Sequence, residues 1–306
     1  MPLRIGTRGS PMALYQAGLV RDRLCAAHPS LAAEGGVELV PIRTTGDRVL
    51  NRQLAEIGGK GLFTKEIEEA LFDRRIDLAV HSLKDMETVL PAGLEIGAVL
   101  TRDDPRDALV SRSGGALADL PPGARIGTAS LRRRAQLLRW RGDLEILPIR
   151  GNVGTRLAKL AAGEFDALVL ALCGLERLGK AALASEILMP EVMLPAVGQG
   201  ALALECRAGD PLLQQLLAAL HDPASAAAVA AERAMLAALD GSCRTPIAGF
   251  ATIEGDRLTL DGLLLSFDGS AERRGQIAGA IEDAIALGGE LGARLRHGAG
   301  PEFGFG

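Results

Sequence analysis

An aspartate and a lysine directly follow an apolar segment in the run DLAVHSLKD, which begins at Asp77. The apolar part predicts a buried strand, and the ends of such strands are where α/β sheets usually place their chemistry. Asp85 at this point can stabilise a developing cation or move a proton, and Lys84 can bind an anion. The segment alone leaves a second interpretation open, in which the two residues form a surface pair at a strand end.

Two turns of similar sequence combine a Gly-Thr pair, a serine and nearby arginines. In GTRGS, Arg8 precedes Ser10, and in GTASLRR, Ser130 precedes Arg132 and Arg133. Each serine predicts the N-cap of a helix, where unpaired N–H groups and the positive dipole end attract an anion. Either turn alone is explained equally by capping without a ligand. Two copies flanked by arginine favour anion binding.

A third turn, RGNVGTR, carries Arg150 and Arg156 between a predicted strand and a predicted helix. Together with Arg132 and Arg133, it places at least four guanidinium groups near one predicted sheet edge. A ligand with several carboxylates or phosphates would explain this density, and a solvated helix face is the alternative. The sequence contains no Walker motif, no GxGxxG dinucleotide motif and no zinc-ligand spacing.

One of the four cysteines, Cys243, stands in the turn DGSCRTPI between a predicted helix and a predicted strand. The neighbouring arginine favours its thiolate form, so a nucleophile or attachment point is as well supported as a structural cysteine. Cys25, Cys173 and Cys206 stand in apolar contexts and are predicted to be buried free thiols.

The elements that position these residues alternate between strand and helix, which predicts α/β domains with largely parallel sheets. The segments IGTRGS and IGTAS, beginning at Ile5 and Ile126, repeat one strand–turn–helix pattern. We therefore expect two similar α/β domains around a ligand cleft. A small α+β domain follows, in which we expect a helix from about Gln276 and a loose glycine-rich tail after His297.

Composition limits the classes of function. The chain has 306 residues, of which 48% are hydrophobic, 24% charged and only 3% aromatic. This predicts two or three globular domains, and the scarcity of aromatic residues argues against a base-stacking nucleic-acid surface. The net charge of -4 argues against general polyanion binding. Apolar segments are too short to span a bilayer, and the first residues lack a signal-peptide core, so we expect a cytoplasmic protein.

Eight motifs follow one another between residue 3 and about residue 250 as they do in one enzyme family. They are GTRGSP, GGKGLFTKEIE, AVHSLKD, DDPRDALV, GTASLRRRAQ, RGNVGTRL, LPAVGQGALALEC and DGSCRTPI. In these motifs the chain closely resembles the porphobilinogen deaminase (hydroxymethylbilane synthase) family. The last fifty residues carry little recognisable pattern.

The resemblance implies two α/β domains of the periplasmic-binding-protein type (type II) around a cleft, and a small C-terminal α+β domain. Residues 1–100 and 196–218 would form domain 1, residues 101–195 domain 2, and residues 219–306 domain 3. The implied enzyme is a transferase that joins four porphobilinogen molecules head to tail, releasing ammonia, to give hydroxymethylbilane for tetrapyrrole and haem biosynthesis. It would act as a monomer on this small molecule, without nucleic acid or membrane.

The resemblance also implies roles for individual residues. Asp85 would be the catalytic residue, beside pyrrole nitrogens, and Cys243 would hold a dipyrromethane cofactor through a thioether. The other implied cofactor contacts are Lys84, Asp85, Ser130, Arg132 and Arg133, and the substrate contacts are Arg8, Ser10, Arg150, Arg156 and Arg177. No metal is implied. The alternatives are a non-catalytic two-domain binding protein for a polycarboxylate and a transcriptional effector domain.

Overall fold

The computed structural model describes residues 2–48, 63–240 and 245–305. The chain divides into two compact units. The first comprises Met1–Arg102 and Ala201–Ala226, and the second comprises Asp103–Gly200 and Ala227–Gly306. Both units are therefore discontinuous in sequence. The three-domain division expected from the resemblance stays a prediction.

The first unit opens with alternating strands and helices. In chain order they are β1 (Leu3–Arg8), α1 (Pro11–Ala27), β2 (Val37–Ile42), α2 (Thr45–Arg48), α3 (Lys65–Phe72), β3 (Leu78–Ser82) and β4 (Leu94–Val99). Ser10 caps α1, and Pro11 at its first position has the fixed φ that a helix start favours. A turn of 3-10 helix, Leu83–Asp85, directly follows β3.

The first part of the second unit has the same alternation. Its elements are β5 (Asp107–Ser111), β6 (Arg125–Gly127), α4 (Leu131–Trp140), β7 (Glu145–Leu147), α5 (Val153–Ala161), β8 (Ala167–Ala171), α6 (Leu172–Arg177) and β9 (Glu186–Leu188). Side chains of Ser130 and Asn152 cap α4 and α5.

The remaining elements complete both units. They are β10 (Leu202–Arg207), α7 (Pro211–Ala218), α8 (Pro223–Ala238), β11 (Ile247–Glu254), β12 (Arg257–Leu265), β13 (Glu272–Ala280) and α9 (Ala284–Arg296). The predicted helix from Gln276 is wrong, because Gln276 lies in β13 and the helix begins at Ala284. Side chains in β13 alternate in exposure, and the strand pairs antiparallel with β12. Sheet pairing here outweighs the local helix propensity of the segment.

The two large sheets share one topology. Their strand orders are β2-β1-β3-β10-β4 and β7-β6-β8-β5-β9. Among the described strands, β10 runs opposite to the other four in the first sheet, and β5 runs opposite to the other four in the second. These are the first strands formed after the chain crosses from one unit to the other at residues 102–103 and 200–201. The predicted α/β class and its repeat are confirmed, with one reversed strand in each sheet.

The repeat extends to side chains. Arg4, on β1, binds Asp77 through its backbone N–H and through its guanidinium, at 2.8–3.1 Å. Arg125, on β6, binds Asp166 through the same groups. We call these two pairs the Arg–Asp braces, and each joins the starts of two neighbouring parallel strands.

The second unit also contains the three-stranded sheet β11-β12-β13, covered by α9. Its core includes Val197 and Met235, and Phe303 near the chain end is only 5% exposed within it. The expectation of a loose tail after His297 is therefore wrong for Phe303, because burying an aromatic ring outweighs the entropy of ordering a short glycine-rich segment.

Candidate functional site

In the first unit, the predicted site residues lie at the carboxyl ends of two neighbouring strands. β1 ends at Arg8 and β3 ends at Ser82, and the two strands pair in parallel, so their ends meet at the same sheet edge. We call this the first edge. Ser10 follows β1 and caps α1, accepting a hydrogen bond from the Ala13 N–H at 3.3 Å. The guanidinium carbon of half-buried Arg8 lies 4.1 Å from the centre of the Phe63 ring, a cation–π contact.

Asp85 projects from the first edge on a turn that is fixed from within. Its side chain is exposed and that of Lys84 is half-buried, whereas Leu83 and Met86 on either side are buried. The Leu83 N–H donates to the carbonyl of Ala201 at 3.0 Å, and the Met86 N–H donates to the carbonyl of Leu83 at 3.1 Å. An exposed carboxylate therefore stands on a well-anchored backbone.

A buried histidine–glutamate contact lies in the sheet beneath this turn. Nε2 of His81 is 2.9 Å from Oε2 of Glu205, and both side chains are at most 5% exposed. His81 lies on β3 and Glu205 on the neighbouring β10. The buried position of His81 beside Glu205 is that of a structural residue.

In the second unit, the predicted residues again follow parallel strands at one edge. β6, β7 and β8 run in parallel, and their ends lead to Ser130, Arg150 and Arg177 respectively. We call this the second edge. The hydroxyl of Ser130 accepts a hydrogen bond from the Arg133 N–H at 3.4 Å, which makes Ser130 the N-cap of α4. Both serines thus cap helices as predicted, in equivalent places of the two sheets.

Arg132 and Arg133 are buried and converge on one carboxylate. Nη2 of Arg132 donates to Oδ2 of Asp107, and Nη2 of Arg133 donates to Oδ1, each at 2.7 Å. Arg132 also donates to the carbonyl of Leu194 and Arg133 to that of Val169. Their guanidinium groups are thus engaged with the protein, which the sequence did not predict.

Asp107 itself is fully buried on β5. Burial alone would raise its pKa, but the charges of Arg132 and Arg133 outweigh this and hold the pKa of Asp107 well below its ordinary value. Burial lowers the pKa of Arg132 in turn. Gln199 supplies a further donor to Oδ1 of Asp107, at 2.8 Å. We call these four residues the Asp107 cluster.

Sequence reasoning missed Asp107 and Gln199. The available signal was an aspartate opening an otherwise apolar strand, DALV, because a charge at such a position needs a partner. Nothing comparable marked Gln199, whose neighbours are glycines.

Arg150 and Arg156 lie on either side of the turn after β7, and both are half-buried. Nε of Arg156 donates to the carbonyl of Gly151 at 2.9 Å, across a glycine whose φ of 107° favours a residue without a side chain. Asn152 caps α5 by accepting from the Thr155 N–H at 2.9 Å. The turn thus brings two arginines and a helix N-terminus together.

Arg177 lies apart from this turn, at the end of α6. Its Nε donates to Oδ2 of Asp103, and its Nη2 donates to the carbonyl of Gly200, both at 2.8 Å. The side chain is 7% exposed. The predicted substrate contact is thus occupied by acceptors from the protein.

Cys243 lies outside the described residues. Cys25, Cys173 and Cys206 are free thiols, the last two buried and Cys25 half-buried. Burial raises the pKa of the Cys206 thiol to about 11, so it holds little thiolate near neutral pH. The predictions of buried thiols at Cys173 and Cys206 are confirmed, whereas the prediction for Cys25 is wrong, because its side chain is only half-buried.

The described part of the chain holds no group of three or more His, Cys, Asp or Glu side chains arranged for a metal ion. Among its helices, none combines the length and apolar composition that a bilayer span requires.

Solved structures with a similar chain path include periplasmic binding proteins. The aliphatic sulphonate binding protein of Escherichia coli is 16% identical, with 78% of this chain and 70% of that chain covered at a TM-score of 0.40. A TRAP solute binding protein from Desulfovibrio salexigens is 9% identical, with 72% of each chain covered at a TM-score of 0.42.

Sequence comparison is far more specific. Residues 3–215 match the family model described as porphobilinogen deaminase, dipyromethane cofactor binding domain, and residues 226–297 match its C-terminal domain. The porphobilinogen deaminase of Paracoccus denitrificans (strain Pd 1222) is 53% identical over 302 residues, which cover 99% of this chain and 96% of that protein. The resemblance is thereby confirmed: the chain belongs to the porphobilinogen deaminase family, transferases that carry a dipyrromethane cofactor and make hydroxymethylbilane.

Proposed function

We propose that this chain condenses four porphobilinogen molecules head to tail, with release of ammonia, and that Asp85 is its catalytic residue. The assignment rests on the exposed Asp85 carboxylate, which buried Leu83 and Met86 hold beside Lys84 at the end of β3. A non-catalytic binding protein for a polycarboxylate is not favoured, because the chain belongs to a family of enzymes over nearly its whole length.

Asp85 acts electrostatically in this proposal. Loss of ammonia from porphobilinogen leaves a positively charged azafulvene, and a carboxylate facing that cation stabilises it. The fixed turn matters because a pre-oriented charge costs no reorganisation when the cation develops. Asp85 is also close enough in sequence to Lys84 for one turn to offer a negative and a positive group to the same ligand.

The family resemblance assigns the carboxylates of the substrate chain to arginines, and each edge supplies candidates. Every pyrrole unit adds two carboxylates, so the growing product needs several cationic partners. Arg8 ends β1, and Arg150 and Arg156 flank the turn between β7 and the start of α5. All three are half-buried, which supports this role. The caps Ser10 and Ser130 place helix N-termini at the same edges.

The second edge fits a carboxylate-rich cofactor. Nε of Arg132 is buried without a hydrogen-bond partner among the described residues, so the Asp107 cluster leaves one guanidinium N–H unused. When bound, the dipyrromethane supplies the pyrrole carbon on which the product chain begins. Ser130, Arg132 and Arg133 at this edge would hold it by charge and hydrogen bonds, and the family resemblance implies Lys84 as a further contact.

Cys243 is the proposed thioether attachment point. The described cysteines give it support by contrast, since Cys173 and Cys206 are buried and the Cys206 thiol has a raised pKa. Packing within the second unit supports it too. Ala248, five residues after Cys243 in sequence, shares an apolar core with Ala135 of α4, the helix that carries Arg132 and Arg133. We further propose, from the family resemblance, a cytoplasmic monomer.

Intact-mass measurement combined with an ammonia assay tests this function. The purified protein should carry the added mass of one dipyrromethane, and porphobilinogen should release one ammonia for each molecule consumed. Mass species with successive added pyrrole units should appear during turnover. A protein that binds porphobilinogen at unchanged mass and releases no ammonia would instead be the non-catalytic binding protein.

A further inference from the structure

Two motifs, DDPRD and VGQG, meet at the end of α6. The N–H of Asp103 donates to the carbonyl of Gly200 at 3.3 Å. Arg177 then bonds to both partners, to the Asp103 carboxylate and to the Gly200 carbonyl, each at 2.8 Å. One guanidinium thereby clamps two backbone segments together. We call this arrangement the Arg177 clamp.

The two clamped residues have special places in the chain. Asp103 is the first residue of the section Asp103–Gly200 of the second unit, and Gly200 is its last. The clamp therefore joins the first residue of this section to its last residue. The Arg177 side chain is 7% exposed, and its Nε and Nη2 already donate to acceptors of the protein.

The clamp is connected to the buried arginines through Gln199. The amide of Gln199, next to Gly200, donates to the carbonyl of Pro105 at 2.6 Å and to Oδ1 of Asp107 at 2.8 Å. Asp107 in turn holds Arg132 and Arg133. The contact between Asp103 and Gly200 is thus linked to the Asp107 cluster, because Gln199 directly precedes Gly200 and bonds to Asp107.

We propose that Arg177 is a positioning residue rather than a substrate contact. By holding Asp103 against Gly200, it keeps the Asp107 cluster in place and so orients α4 with its arginines. This inference rests on the proposed function, since it assigns Arg177 to the same reaction. It replaces the substrate-binding role that the family resemblance implies for Arg177.

A double-mutant cycle on holoenzyme separates the two roles. Arg177→Met keeps the apolar stem and removes the guanidinium, and Asp103→Ala removes its main acceptor. If Arg177 acts through the clamp, each variant should lower kcat by a similar factor of roughly ten while KM changes less than about twofold. The double variant should be no slower than the slower single variant. Arg177→Lys keeps one charged donor, so its kcat should lie between that of Arg177→Met and that of the wild type.

A direct substrate contact gives a different result. Arg177→Met would then raise KM for porphobilinogen by roughly tenfold or more, as expected on losing one charge-assisted contact, and Asp103→Ala would not raise it. That outcome, or strictly additive effects in the double variant, overturns the inference. If a variant is too unstable to assay, Asp103→Asn and Arg177→Lys make the same comparison with smaller changes.

Two controls make the result specific. Arg294→Met removes an exposed arginine of the same unit that pairs with Glu290, and should leave both kinetic constants unchanged. Hydrogen exchange should show faster exchange of the Asp103 amide in both clamp variants and not in Arg294→Met. If the wild-type protein itself releases no ammonia, the proposed function has failed. If it does and only the cycle fails, the inference alone is wrong.

Discussion

At the scale of single residues, we expect the charge of Asp85, rather than its polarity alone, to matter at the first edge. The side chain is exposed and its backbone is anchored by buried neighbours, so substitution should change chemistry with little effect on folding. Substitutions of Asp85 can therefore separate the effect of side-chain charge on activity from the effect of side-chain shape.

Asp85→Asn keeps the size and an acceptor oxygen but removes the charge facing the azafulvene, whereas Asp85→Glu keeps the charge on a longer arm. We expect Asn to slow single-turnover ammonia release by ~10²-fold or more, with Glu retaining measurable turnover. Asp73→Asn, an exposed aspartate of the same unit, is the matched control and should behave as wild type. Full activity in Asn together with an inactive Glu variant would show that geometry, not charge, is what Asp85 supplies.

A second prediction at this scale concerns the cysteines. Peptide mapping should place the cofactor mass on the peptide containing Cys243 and on no other. Cys206 should resist alkylation near neutral pH in the folded protein, because burial raises its thiol pKa to about 11. Cys206→Ala should therefore keep the cofactor, and Cys243→Ala should lose it. Cofactor mass on the Cys206 peptide would refute the assignment.

Residue types and motif order were enough to predict both capping serines and the arginine-rich edges. They were not enough to predict what each arginine contacts. Arg132, Arg133 and Arg177 were all expected to contact cofactor or substrate, yet all three are bonded to carboxylates of the protein. Those partners come from distant strands and turns, and a single sequence carries no record of long-range pairing.

At the scale of elements, α4 is held by charge at its start and by packing along its length. The Asp107 cluster fixes its first turn, and Ala135 packs with Leu263 and Leu265 of β12. A close approach at Gly269 completes the contact, since a side chain there would lie 2.3 Å from the carbonyl oxygen of Ala135. The orientation of the arginines is thus a property of the whole helix.

Asp107→Asn should therefore be strongly destabilising. It removes the only carboxylate in the cluster and leaves two buried guanidinium groups short of a counter-charge, which costs about 3–5 kcal/mol of unfolding free energy. Urea denaturation measures the loss. Glu290→Gln, in an exposed pair on α9, is the control and should leave the midpoint unchanged. A midpoint equal to wild type in Asp107→Asn would show that the cluster adds no stability.

The same carboxylate predicts a pH dependence. The pKa of Asp107 is lowered on folding from its ordinary value of 3.8, so its contribution to stability is fully present above that value. It is lost as the pH falls through 3.8 toward the lower folded pKa. The difference in stability between wild type and Asp107→Asn should thus narrow below pH 3.8. A difference that stays constant down to acid denaturation would contradict the lowered pKa.

At the scale of the molecule, repetition organises both large sheets. The strand orders match, one strand in each sheet is reversed, and an Arg–Asp brace joins equivalent strands in each. The sequence revealed the repeat through IGTRGS and IGTAS, because the turn chemistry is local. It did not reveal the reversed strands, because their direction follows from where the chain crosses between units.

The apolar core beneath the sheet β11-β12-β13 combines distant parts of the chain, and it includes Phe303. Phe303→Ala should lower the unfolding free energy of the second unit by about 3–5 kcal/mol, as expected for a buried aromatic side chain. Hydrogen exchange should accelerate in β11 and β12 and stay unchanged in β1. Ile285→Ala, 69% exposed on α9, is the control. Unchanged protection in β11 would show that the chain end contributes nothing to this core.

The place of β10 also has a consequence for how the protein is made. Among the described strands, β4 pairs only with β10, and β10 also covers the open side of β3. On the ribosome, all of Asp103–Gly200 is synthesised before β10 emerges. During that time β4 and one side of β3 have no strand to pair with. A nascent chain stalled before Leu202 should remain open to proteases around β4. Release of a few more residues, through Arg207, should close the sheet at once.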